Sequence, residues 1–133
     1  MANEAVLIEN PTKFVRATVA NTGTIAKGTL MQISSDPNTV TASSGADVFA
    51  GILWTEKLTG DGSTNVGLAI DGEWDLVVAP GAAVTLGSLV SLSGVNLIKT
   101  ATEAEIITGK VIGKCLETAS ASEVVRVRVG GVV

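Results

Sequence analysis

One cysteine, one glycine-rich polar loop and two close carboxylate pairs are the residues whose types and spacing could do chemistry. Cys115 sits in Val111-Ile-Gly-Lys-Cys-Leu116, and a thiolate nucleophile there would need Lys114 to lower its pKa. Neighbours on a strand point to opposite faces, so the spacing predicts a small packed thiol or a neutral surface one. The loop Thr59-Gly-Asp-Gly-Ser-Thr-Asn65 opens like a phosphate cradle with Gly60-x-Gly62, but Asn65 stands where the third glycine belongs. No helix follows to aim its N-terminus at an anion. As a calcium loop, Asp61, Ser63 and Asn65 take the first, third and fifth positions, yet Val66 replaces the glycine and Gly72 the bidentate glutamate. The loop reads as a hairpin tip. Glu73 with Asp75, and Glu103 with Glu105, could act as acid and base only across a cleft that raises one pKa. Nothing in the sequence encloses them, and solvated surface carboxylates are expected.

Histidine is absent, which removes an imidazole base, a histidine metal ligand and the Ser-His and Cys-His nucleophile pairs. A single cysteine forms neither an internal disulfide nor a zinc cluster. No spacing recommends a serine–lysine pair. No catalytic residue, metal or cofactor is therefore expected. The 133 residues carry nine basic and 13 acidic side chains, a net charge of −4. Only Arg126 and Arg128 lie close together on one strand face, so a nucleic-acid partner is not expected. The opening MANEAVLIENPTKF has no basic leader and a short apolar run, so no signal peptide is expected. Leu76 to Ile98 is uncharged and long enough to span a bilayer, but Pro80, Gly81, Gly87 and Gly94 divide it into pieces of strand length. No membrane partner is expected.

The elements that must position these residues have period two. Val125, Val127 and Val129 alternate with Arg126 and Arg128, the pattern of a half-buried antiparallel strand. Val15, Ala17 and Val19 alternate with Arg16 and Thr18, and Trp74, Leu76 and Val78 continue the theme. Val48 to Trp54 is almost continuously apolar and predicts a strand buried on both faces. Only Thr102 to Thr108 looks helical, with Thr102 as N-cap. The class is all-β, with at most one short helix.

Shifting the sequence by 59 residues lays Gly28-Thr-Leu-Met-Gln-Ile-Ser34 on Gly87-Ser-Leu-Val-Ser-Leu-Ser93. Small insertions then bring Asn38 onto Asn96 and Gly51 onto Gly113. Two pseudo-repeats, about 14–74 and 75–133, would make one β domain, the alternative being chance similarity of alternating strands. A glycine within a strand suits a bulge that curls a sheet into a barrel. Residues 1–13 differ: Val6, Leu7 and Ile8 form a short apolar patch before Pro11, read as a flexible arm that frays or adds a strand to a partner's sheet. Trp54 and Trp74 either plug barrel ends or anchor a subunit interface.

Leu30-Met-Gln-Ile-Ser-Ser, Thr39-Val-Thr-Ala, Phe49-Ala-Gly-Ile-Leu53, the polar hairpin and Asn65-Val-Gly-Leu-Ala-Ile-Asp-Gly-Glu73 together resemble the head decoration (cement) proteins of tailed bacteriophages, including the lambda-type head-stabilising protein. The resemblance is clear over about residues 25–80 and looser through Val129. It implies a small β-tulip or barrel-like domain that sits as a homotrimer on three-fold or quasi-three-fold sites outside the capsid. It also implies assembly in the host cytoplasm and the major capsid protein as partner. The arm, with Val6, Leu7, Ile8 and Phe14, would then bind the capsid. A carbohydrate-binding or adhesive β module is the alternative, for which two tryptophans and no tyrosine are few exposed stacking platforms.

Overall fold

The computed structural model describes residues 3–9, 11–20, 23–45, 47–62 and 64–130. Met1 and Ala2 of the arm, Asn21 and Thr22 of a predicted turn, and Ser63 of the hairpin tip lie outside them. The chain is all-β, and among the described residues no helix is long and apolar enough to cross a membrane.

Strand β1 (Val6–Glu9) precedes two sets of five strands. The first set is β2 (Phe14–Thr18), β3 (Leu30–Ser35), β4 (Thr39–Ala42), β5 (Phe49–Leu53) and β6 (Asn65–Ala69). The second is β7 (Gly72–Val78), β8 (Leu89–Gly94), β9 (Leu97–Thr100), β10 (Val111–Cys115) and β11 (Val124–Val129), with helix α1 (Glu103–Ile107) between β9 and β10. The first set closes into a barrel in the order β2-β4-β3-β5-β6. The second runs β7-β11-β10-β8-β9, and β9 returns to pair with β7.

The two sets share their wiring. In each, the first strand pairs parallel with the third and antiparallel with the fifth. The isolated bridge Ile25–Lys57 has its counterpart in Val84–Ala119. Asn38 and Asn96, each in the hairpin before a short strand, both adopt positive φ, at 44° and 56°. Beside Gly51 and Gly113 the fourth strand of each set carries one extra residue, Ala50 and Ile112, where the register slips. These bulges bend the strand and let a five-stranded sheet close.

Alternation sorts the side chains into two cores. Ala17, Met31, Val40, Leu53, Val66 and Leu68 fill the first barrel. Leu30, Ile52 and Ala69 point the other way and join the core of the second, with Trp74, Leu76, Leu92, Ile112 and Val127. β5 is thus covered on both faces, as its unbroken apolar run requires. Val125, Val127 and Val129 are buried as the alternation predicts. Val15 departs from the pattern: it lies near the open end of β2 and is exposed.

Asn96 joins the halves. Fully buried, its Oδ1 accepts from Leu30 N at 2.8 Å, and its own N–H donates to Ser43 Oγ at 3.0 Å. One backbone N–H of each half, which would otherwise be unsatisfied inside a core, is so matched by a side chain of the other.

Candidate interaction surface

The segment expected as a flexible arm is drawn into the second sheet. β1 runs antiparallel to β7, with Val6 opposite Asp75, Leu7 opposite Trp74 and Glu9 opposite Glu73. Ala5 N donates to Gly28 O at 2.8 Å, and Leu7 packs against the second core. Two glycines shape the seat. A Cβ on Gly28 would stand 2.8 Å from Ala5 O, and one on Gly72 would stand 3.0 Å from Glu9 O. Both have positive φ, at 93° and 95°, which glycine alone adopts without strain. After β1, Asp71 accepts from Thr12 N, Thr12 Oγ1 and Lys13 N at 2.8, 2.6 and 3.0 Å. Partial burial would raise the Asp71 carboxyl, but these hydrogen bonds and the charge of Lys13 outweigh it and hold the pKa below its ordinary value. An apolar strand flanked by partners lowers its free energy by docking at home rather than fraying.

The aromatic residues form a ladder from surface to core. Phe14, 49 % exposed, meets Trp54 at 5.1 Å between ring centroids. Trp54 meets Trp74 edge to face at 6.3 Å, and the Lys27 ammonium lies 4.1 Å above the Trp54 ring. Trp74 is 2 % exposed and donates Nε1–H to Asp71 O, so its ring has no surface left to offer a second subunit. Trp54 is half-buried. Of the four arm residues, Val6 and Phe14 are exposed, while Leu7 and Ile8 are partly covered. Beside Phe14, a surface depression of about 480 Å³ runs along Val15, Arg16, Thr55, Asn65 and Gly67.

The chemistry-bearing residues are otherwise spoken for. Asp61 of the polar loop is held by Lys57, whose Nζ reaches Asp61 Oδ1 at 2.6 Å and Leu58 O at 2.9 Å. Lys57 is fully buried, so Asp61 already has a cation as its partner. Glu73 faces Arg128 at 3.7 Å. Glu105 corrects the expectation of a solvated carboxylate: it is buried and closes a capping box with Thr102. It also accepts from Ser91 Oγ and faces Lys99 Nζ at 3.1 Å. Burial pushes its pKa up, but the Thr102 backbone, Lys99, Ser91 and the Thr102 hydroxyl together hold it below the ordinary value. Cys115 is a packed thiol; burial pushes its pKa up, and Sγ donates to Glu117 O. Among the described residues no group of His, Cys, Asp and Glu could hold a metal ion.

Sequence reasoning missed Lys57, Asp71 and Asn96. Lysine and aspartate read as surface residues unless a partner is known, and their partners here depend on the fold. The Thr102-x-x-Glu105 spacing was a usable signal for the capping box.

No protein-family model matches the chain, and no curated protein is similar to it in sequence. Among solved structures, the chain is similar to the head fiber gp8.5 N base of bacteriophage phi29. The two are 13% identical, with a TM-score of 0.55 over 89% of this chain and 93% of that one. At that identity the likeness is one of fold, over nearly the whole of both chains.

Proposed function

We propose that this chain is a structural component of a bacteriophage virion that attaches to the outside of the head and stabilises the mature shell. The observation that carries the reading is the fold likeness to a phage head fiber base over 89% of the chain. The side chains support it: the thiol, Asp61 of the polar loop, and Glu73 and Glu105 of the carboxylate pairs are engaged within the fold, which favours a structural over a catalytic role. In this reading the protein sits as a homotrimer at three-fold or quasi-three-fold sites, with the major capsid protein as partner. The arm makes the attachment, through its exposed Val6 and Phe14. A protein that binds only the mature shell stabilises it by mass action, and three linked copies add avidity.

Cryo-microscopy of capsids whose genome encodes the chain, with and without it, tests the reading. Added exterior density at three-fold positions and a higher shell melting temperature are expected. Particles with no such density and unchanged melting would overturn it. Sedimentation of the free protein checks the trimer separately.

A further inference from the structure

The open edge of β2 is the counterpart, in the first barrel, of the edge that β1 fills in the second. Shifted by 59 residues, Phe14, Val15 and Arg16 fall on Glu73, Trp74 and Asp75, the residues β1 pairs with. Lys13 O accepts from Ile70 N, and Val19 N donates to Thr64 O, so residues 13, 15, 17 and 19 turn their backbone groups to the β6 side. Ladder alternation turns Phe14, Arg16 and Thr18 the other way. There Thr18 N bonds Asn38 O, and the Asn38 side chain covers Arg16 O. The only strand pairing on that side is Thr18 with Thr39, so among the described residues no strand pairs with Phe14 or Arg16 there. One half of the molecule has its extra strand; the other has the same position open.

Charge says what kind of strand fits. The occupied position on β7 presents Glu73 and Asp75, whereas the open one lies between Lys13 and Arg16. Lys27 stands over Trp54, which touches Phe14, so a third cation borders the same patch. Asp71 is bound to the backbone of Thr12 and Lys13 and also feels the Lys13 charge, which leaves Arg16 and Lys27 as the cations it does not engage by a hydrogen bond or that charge. Three of the nine basic residues of an acidic chain thus gather at one strand edge.

The chain's own β1 does not reach this edge. Asp71 and Ile70 hold Thr12 and Lys13 in place, leaving only Asn10 and Pro11 to reverse the chain after Glu9. A proline at the second position of a two-residue loop opposes the turns that such a hairpin favours. The glycine-shaped seat on β7 also keeps β1 where it is.

We infer that the β2 edge over Phe14–Arg16 is a strand-addition site for a partner protein's extended segment, apolar at its centre and acidic at its ends, lying antiparallel to β2. Backbone hydrogen bonds to Phe14 N, Phe14 O and Arg16 N give the affinity, and Lys13 and Arg16 select the charge. The inference does not depend on the virion reading, and a protein that fails to bind capsids would leave it standing.

The probe is the blocked peptide Glu-Ala-Val-Leu-Ile-Glu, titrated into the full-length isotope-labelled protein and followed by amide chemical shifts. Changes at Phe14 and Arg16 are expected, with affinity lowered at least tenfold by Arg16→Glu and by replacing both peptide glutamates with lysine. Silence of these amides at millimolar peptide overturns the inference. So do changes confined to Gly72–Asp75, which would mean that the peptide only displaces β1. Arg16→Gln separates charge from fold: it should weaken binding while the spectrum stays that of the native protein. Concentration-dependent dimers dispersed by the peptide would give the edge to a second copy and overturn the assignment to another protein.

Discussion

Trp54 and Trp74 meet edge to face across the two barrels, their ring planes at 90° and their centroids 6.3 Å apart. Trp54 follows the fourth strand of the first set, and Trp74 lies in the first strand of the second. This contact therefore reports whether the halves are docked. Trp54→Ala is expected to cost about 2–4 kcal/mol in a denaturant melt, below the range for a fully buried tryptophan because Trp54 is only half-buried. Trp54→Phe should recover most of the loss, whereas an unchanged midpoint for the alanine variant would show that the barrels hold without the ladder.

Asn96 supplies a second tie with a different chemistry. Asn96→Ala leaves Leu30 N without its acceptor and forces alanine to positive φ, so a loss of about 2–4 kcal/mol is expected. Asn96→Gly keeps the turn and loses only the side-chain bond, so it should cost less. Equal losses would assign the effect to the side-chain bond alone.

Gly28→Ala and Gly72→Ala should each unseat β1, because the new methyl meets the backbone of Ala5 or Glu9. Faster amide exchange over Val6–Glu9 is expected, with a global loss of about 1–3 kcal/mol. Gly23→Ala is the control: φ is 69° there too, but nothing lies within 4 Å of the added methyl. Exchange in β1 should stay as in the parent.

Acid should loosen the fold through Asp71 and Glu105. Both carboxyls sit below their ordinary values of 3.8 and 4.5, so the unfolded chain binds more protons in that region. Their contribution is fully present above those values and is lost as pH falls through them and below. Urea midpoints measured against pH should drop along that limb, and Glu105→Gln should flatten it. A variant that keeps the full slope would place the titration elsewhere.

Much of this fold is legible in the sequence because its strands are short and one-sided. Val125, Val127 and Val129 could face only inward, the run Val48–Trp54 had to be covered twice, and Thr102 announced the helix. The destination of β1 was not legible, since three apolar residues carry no mark of the strand more than sixty positions away that receives them. Trp74 was ambiguous for a related reason: what covers a tryptophan is decided by which strands become neighbours. The burial of Lys57 is a contract with Asp61 that only the closed loop reveals. The open β2 edge needed both halves to be compared in space, because the shift alone does not say which edge is filled.

The position of β1 has a consequence for synthesis. This strand leaves the ribosome well before β7, its partner, so the growing polypeptide carries an unmatched apolar segment until Trp74 and Asp75 emerge. The first barrel is complete by Ala69 and can close beforehand, which leaves the early segment waiting beside a finished neighbour. Translation speed across that interval then sets how long the nascent chain is open to capture by a chaperone or by another copy of itself.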